Sequence, residues 1–231
     1  MHGAEHTDTL QAEANLATTY WNQGRWKEAE ELELHVKDVR LKVLGAEHPD
    51  TLRAIRSLAV TYSHQGRWKE AEELELHVRD ARLKVLGAEH PDTLWTMGNL
   101  AATYEHQGRW NEAEELELHV RDARLKVLGA EHPETLWAMG NLAATYRNQG
   151  RWNEAEELQL HVRDARLKLL GTEHPDTLWT MGNLAATYRH QGRWKEVEEL
   201  ELHVRDARLK VLGAEHPETL LAMGNLAATF H

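Results

Sequence analysis

The sequence predicts an all-α fold of the α-solenoid class, built from about 11 helices that stack as antiparallel pairs. Two observations carry this prediction. A glycine recurs every 42 residues without insertions, and each period contains two stretches whose apolar residues follow helical spacing. Neither helix of a pair can bury its apolar face alone, so neighbouring pairs are expected to stack on one another.

The period divides the chain into five full repeats and a half repeat. The equivalent glycines are Gly3, Gly45, Gly87, Gly129, Gly171 and Gly213. The expected repeats are residues 3–44, 45–86, 87–128, 129–170 and 171–212, with a half repeat at 213–231. All 231 residues are expected to form a single array.

The first helix of each repeat, called helix A, is indicated in repeat 3 by one apolar stripe. Its members are Leu94, Met97, Leu100, Ala101 and Tyr104. The preceding proline suits a first turn, where the N–H that proline lacks would have no helical partner anyway, and the acidic residue after it favours the positive end of the helix. A proline followed by an acid therefore predicts the start of helix A.

The second helix, called helix B, follows a tight turn. A glycine that adopts a left-handed conformation, Gly108, ends helix A, and Gly129 ends helix B. Between them lies a second stripe of Trp110, Ala113, Leu116, Val120, Ala123 and Val127. A continuous coiled coil is the structural rival, because 42 is a multiple of seven, but a proline and two glycines per period would break its heptads.

Three motifs of repeat 3 resemble the kinesin light chain class of tetratricopeptide repeats. They are His-Pro-Asp-Thr-Leu at 90–94, Asn-Leu-Ala-Ala-Thr-Tyr at 99–104 and Gly-Arg-Trp-Asn-Glu-Ala-Glu at 108–114. The class also occurs in fungal and bacterial receptor-like NTPase proteins. The resemblance covers essentially the whole chain and implies a right-handed superhelix whose concave groove binds a peptide. Met97, Gly98 and Glu117 depart from the pattern of the family, which leaves the identity of the ligand open.

A second row on helix A lies beside the apolar stripe, and the resemblance places this row on the concave groove. Stacked repeats would turn each position of the row into a ladder of tryptophan, glycine, asparagine or arginine. The predicted groove residues are Trp95, Gly98, Asn99, Trp137, Gly140, Asn141, Arg147, Trp179, Gly182, Asn183, Arg189 and Asn225.

Asparagine amides both donate and accept hydrogen bonds, so a row of them can pair with the backbone of an extended peptide. Glycine beside tryptophan would leave a shallow pocket with an aromatic wall. The alternative is that these tryptophans only pack between helices. Gln11, Arg53 and Leu221 occupy the same position in other repeats, which favours exposure. The invariant tryptophans after the turn, such as Trp68 and Trp152, are interpreted as structural.

Charge narrows the choice of partners. A net charge of −11 disfavours nucleic acid, whose phosphates require clustered basic residues. Helix B is rich in glutamate while Arg147 and Arg189 lie in the predicted groove, so an acidic or carboxyl-terminal peptide is the expected ligand. The chain contains no cysteine and no apolar run long enough to span a bilayer, which predicts a cytoplasmic protein without a membrane partner.

No catalytic motif, cofactor motif or metal-ligand spacing is recognised, so neither an enzyme nor a metal site is predicted. The leading hypothesis is a protein-interaction module, as part of a sensor or adaptor within a larger protein. The alternative is a self-associating scaffold. Leu118 and Leu125 form a second apolar row on helix B, which either packs against the neighbouring helix B or makes a convex contact patch. Copies of the scaffold would join through such a patch, or through the half repeat, where Met223, Leu226 and Phe230 lack a covering helix B.

Overall fold

The computed structural model describes residues 6–229, and within that range it contains eleven α-helices and no strand. This confirms the all-α prediction and the expected number of helices. The helices are α1 Thr7–Asn22, α2 Trp26–Leu44, α3 Pro49–His64, α4 Trp68–Leu86, α5 Pro91–His106, α6 Trp110–Leu128, α7 Pro133–Asn148, α8 Trp152–Leu170, α9 Pro175–His190, α10 Trp194–Leu212 and α11 Pro217–Thr229.

The chain forms two compact units, which we call unit 1 (up to Leu116) and unit 2 (from Glu117). In unit 1, consecutive helices from α1 to α5 pack on one another, and in unit 2 consecutive helices from α7 to α11 do the same. Each unit therefore consists of stacked helix pairs.

Each helix A begins at a histidine that caps it. The Nδ1 atom of His90 accepts a hydrogen bond from the backbone N–H of Asp92 at 3.2 Å, and Pro91 follows as the first helical residue. An N-terminal cap satisfies one of the backbone donors that the first turn leaves without a partner. The loop histidine of the repeat is therefore a structural residue.

Helix A ends where the sequence places its glycine. Gly108 has a φ of 74°, and its N–H donates to the carbonyl oxygen of Glu105 at 2.9 Å. The guanidinium of Arg109 then lies 4.0 Å from the ring centroid of Tyr104. The turn therefore returns the chain antiparallel while its first side chain covers the end of helix A.

The core lies between the two helices of a pair and the preceding helix B. In unit 1, Leu100, Tyr104 and Ala113 form a buried cluster against which Leu76 of α4 packs. In unit 2, Leu184 and Val197 form the equivalent cluster, and Leu160 of α8 packs against it. A leucine of helix B, expected on a second apolar row, thus contributes to the core of the next repeat.

Two expectations about apolar surface are wrong. Val127 is 60% exposed and not buried. Its equivalent in unit 1, Val85, is 56% exposed in the last turn of α4, whose 19 residues exceed the 16 of its partner α3. Leu226, expected to lack cover, is only 7% exposed because α10 packs against α11. Met223 is partly buried, and Phe230 lies outside the described residues.

Candidate functional site

Three tryptophans of the predicted groove row lie at the surface of their helices. Trp95, Trp137 and Trp179 are 37%, 47% and 51% exposed, and each ring has an arginine guanidinium within 4.5 to 5.9 Å of its centroid. These tryptophans are therefore not sealed between helices, and a large part of each ring can contact another molecule.

In unit 2, six predicted groove residues line one cavity of about 330 Å³. They are Arg147, Trp179, Gly182, Asn183, Arg189 and Asn225. The helices α7, α9 and α11 supply these residues, and α10 adds Glu201 and Arg208. Successive A helices thus contribute equivalent positions to one site.

The arginines of this cavity are held by neighbouring groups. Arg147 Nη1 lies 3.3 Å from both the carbonyl oxygen and the Oδ1 atom of Asn183. Arg189 pairs with the buried carboxylate of Glu201, and Arg208 pairs with Glu218 at 2.8 Å. Three guanidinium groups against one carboxylate in the lining give the cavity of unit 2 a net positive charge.

The other predicted groove residues on α5 and α7 differ in how exposed they are. A Cβ atom added at Gly140 would lie 3.8 Å from the ring of Trp179, an ordinary van der Waals contact, so that ring does not require a glycine there. Asn141 is partly buried, whereas Gly98 is fully buried and is not an open floor for a pocket. Trp137, Gly140 and Asn141 do not belong to the lining of the unit 2 cavity.

In unit 1, Trp95 and Asn99 line a larger cavity of about 770 Å³ between α3, α4 and α5. Trp68 lies in the same wall, stacked on His106 with 4.1 Å between ring centroids and 10° between planes. Trp68 therefore contacts the next repeat, as expected of a structural residue, and also contributes an aromatic face to the cavity.

A buried carboxyl group, Glu75, lies in the lining of this cavity. Its residue is only 5% exposed, and its Oε2 atom has no hydrogen-bond partner. Burial raises the pKa of Glu75 to about 7; a hydrogen bond from the Thr103 hydroxyl opposes this rise, and the nearby Glu72 carboxylate adds to it.

Glu75 belongs to a set of buried polar residues on helix B that the sequence analysis did not place in the site. The other members are Glu33, Glu117, Gln159 and Glu201. In unit 2, Gln159 accepts a hydrogen bond from the Thr187 hydroxyl at 2.7 Å. The signal in the sequence is spacing: Glu75 follows Ala71 by four residues and precedes Val78 by three, which places it on the buried stripe.

Neither a metal site nor a membrane span is found in the part of the chain that the structure describes. Among residues 6–229, no group of three or more His, Asp or Glu side chains could hold a metal ion. Within the same range, every helix is too short or too polar to cross a membrane.

Comparison with known proteins assigns the family. Models of the tetratricopeptide repeat match residues 8–84, 93–134 and 134–210. Two crystal structures of the nearly identical repeats of a kinesin light chain from Podosopora anserina resemble this chain. One, of a variant with a single substitution, is 34% identical with a TM-score of 0.80 and covers 91% of this chain and 98% of its own. The other is 35% identical with a TM-score of 0.79 and covers 90% and 99%.

BtubC from P. vanneervenii shares the fold, with 20% identity, a TM-score of 0.77 and coverage of 91% of this chain and 83% of its own. No match was found among curated proteins. Tetratricopeptide repeats generally mediate interactions between proteins. The chain belongs to the tetratricopeptide repeat family, and its helix pairs are of the kinesin light chain-like class.

Proposed function

We propose that this chain is a protein-interaction module that binds an extended peptide along the groove row of its A helices. The observation that carries the proposal is the convergence of six groove residues on the cavity of unit 2. Asparagine amides on α9 and α11 can pair with a peptide backbone, and the exposed face of Trp179 can pack against a side chain.

The charge of this cavity favours an acidic partner residue in unit 2. Arg147 and Arg208 lie in its wall with Arg189, and only Glu201 opposes them. A carboxylate of a peptide could replace the Asn183 oxygens as the partner of the Arg147 guanidinium, since arginine pairs well with carboxylates. We place the module in a cytoplasmic sensor or adaptor that is part of a larger protein.

To test the proposal, peptides that bind the whole chain are selected from a random library, and their affinity is measured by isothermal titration calorimetry. Trp179→Ala combined with Asn183→Ala should weaken binding by about tenfold or more, since a well-packed aromatic anchor is typically worth at least 1 to 2 kcal/mol. Trp194→Ala is the matched control, because Trp194 is as exposed as Trp179, at 51%, but lies outside the cavity. Equal affinities for the double variant and the control would refute peptide binding at the groove residues of unit 2.

A self-associating scaffold is the second candidate. Leu220 and Leu221, on the last described helix, are 55% and 59% exposed. Sedimentation equilibrium would support the scaffold if the mass increased with concentration and if Leu220→Ser with Leu221→Ser abolished the increase. A constant monomer mass would exclude it.

A further inference from the structure

We propose that the cavity at Glu75 in unit 1 binds the basic side chain, lysine or arginine, of a peptide. The inference rests on the proposed function and names the chemistry that one cavity selects. It is opposite in sign to the acidic preference of the cavity in unit 2.

The Glu75 carboxyl is buried and incompletely hydrogen-bonded. Its Oε2 atom is buried without a hydrogen-bond partner while the residue lines an open cavity of about 770 Å³. A buried carboxylate without a counter-charge is unstable, and a cation that enters the cavity would supply the missing partner. The group is therefore placed to gain a strong, charge-assisted bond on binding.

The cavities that contain a buried glutamate differ in the arginines of their lining. The cavity at Glu33 is lined by Arg40, Arg53 and Arg56, and the cavity at Glu201 is lined by Arg147, Arg189 and Arg208. The lining of the Glu75 cavity contains neither arginine nor lysine. Its only basic side chains are the imidazoles of His64 and His106, so a lysine or arginine partner for Glu75 has to come from another molecule.

Equivalent positions two repeats apart carry different residues in the two units. Unit 2 has Gln159 where unit 1 has Glu75, and Arg147 where unit 1 has Ser63. The neighbouring Trp95 and Trp179 are unchanged, as are Asn99 and Asn183. Arg147 lines the cavity of unit 2, where Ser63 lines the cavity of unit 1, whereas Gln159 lies outside the lining of the unit 2 cavity. The tryptophan and the asparagine are therefore retained while unit 1 lacks the arginine.

The walls of the Glu75 cavity match the shape of a long basic side chain. The rings of Trp95 and Trp68, the latter stacked on His106, provide apolar walls that fit the methylene chain of a lysine or arginine. Aromatic faces also attract a cation directly, and the guanidinium of Arg56 already lies 4.5 Å from the Trp95 ring centroid. The walls and the carboxyl thus match the two ends of the same side chain.

The experiment uses three capped peptides, acetyl-Gly-Ser-X-Ser-Gly-amide, in which X is lysine, norleucine or glutamate. The whole chain, with ¹⁵N-labelled tryptophan indoles, is titrated with each peptide, and the shifts of the Trp68 and Trp95 signals give the affinity. The lysine peptide should bind about fivefold or more tightly than the norleucine peptide, because only lysine can pair with Glu75.

Glu75→Gln should abolish this difference, and Glu33→Gln is the matched control that should preserve it. The Glu75→Gln chain is expected to fold, since Gln159 is a natural glutamine at the equivalent position. Equal affinities of the lysine and norleucine peptides, or an unchanged preference in Glu75→Gln, would overturn the inference alone. If no peptide shifted Trp68, Trp95 or Trp179, both the inference and the proposed function would fail.

Discussion

The two units contain the same groove positions but surround them with different charges. In unit 1, Trp95 and Asn99 lie beside a buried glutamate whose cavity is lined by neither arginine nor lysine. In unit 2, Trp179 and Asn183 share their cavity with three arginines. The two cavities therefore share a tryptophan and an asparagine but differ in the charged residues around them.

The largest expected effect comes from transferring the charge pattern of unit 1 to unit 2. Arg147→Ser combined with Gln159→Glu reproduces the residues found at Ser63 and Glu75. Because the exchange removes one positive charge and adds one negative charge, the ratio of the affinities for the lysine and glutamate peptides, followed at Trp179, should change by about tenfold or more in favour of lysine. Trp194→Ala in the same background should leave the ratio unaltered. An unchanged ratio would mean that these positions do not determine selectivity.

A second prediction concerns stability and pH. Burial raises the folded-state pKa of Glu75 from 4.5 to about 7, so the folded chain binds more protons than the unfolded chain between these values. The carboxyl therefore stabilises the fold most below about pH 4.5, and this contribution is lost as the pH rises through 7. Glu75→Gln should match the wild type near pH 5 and exceed it by about 1 to 3 kcal/mol at pH 8.

Urea unfolding at the two pH values measures this effect. Glu73→Gln, on the exposed face of the same helix, is the control and should change the free energy of unfolding equally at both. A Glu75→Gln chain that gained no stability between pH 5 and 8 would show that the carboxyl is not buried as described.

A third prediction compares the hydroxyl partners of the buried row. Thr187→Val removes the hydrogen bond to Gln159 and leaves a buried amide oxygen without its donor. The loss should lower the free energy of unfolding by about 1 to 2 kcal/mol at any pH. Thr18→Val is the control, because the Thr18 hydroxyl only bonds to the backbone of its own exposed helix. A cost that varied with pH would be inconsistent with a neutral pair.

The smallest expected effect tests what the units share. His90 in unit 1 and His174 in unit 2 each cap a helix A through Nδ1 at 3.2 Å. Replacing either with alanine should cost about 0.5 to 1 kcal/mol, measured by thermal or urea unfolding, and asparagine should restore most of it. A clear difference between the two sites would mean that the scaffolds, and not only the pockets, differ.

The sequence predicts the helices and their apolar stripe because these depend on short-range periodicity. Leu94 to Tyr104 repeat at helical spacing, and Gly108 marks the turn. Six predicted residues of unit 2 line one cavity because equivalent positions of successive A helices are neighbours, which the repeat period already indicates. Glu75 was missed because a glutamate within an acidic run resembles a solvated face, and only its register with Ala71 and Val78 shows that it is buried.

The charge of a cavity depends on which residues meet across helices, and a stripe along one helix does not show that. Ser63, Glu75 and Asn99 come from three helices and converge only in the folded unit. The exposed Val127 has a similar origin, because the point at which a longer helix extends past its partner depends on packing.

The most direct test is the pKa of the Glu75 carboxyl, followed by its ¹³C chemical shift in the whole chain with and without the lysine peptide. The account predicts a pKa near 7 in the free chain that falls when the lysine peptide is added and stays constant with the norleucine peptide. A free-chain pKa at the ordinary value of 4.5, or one that no peptide changes, would contradict it.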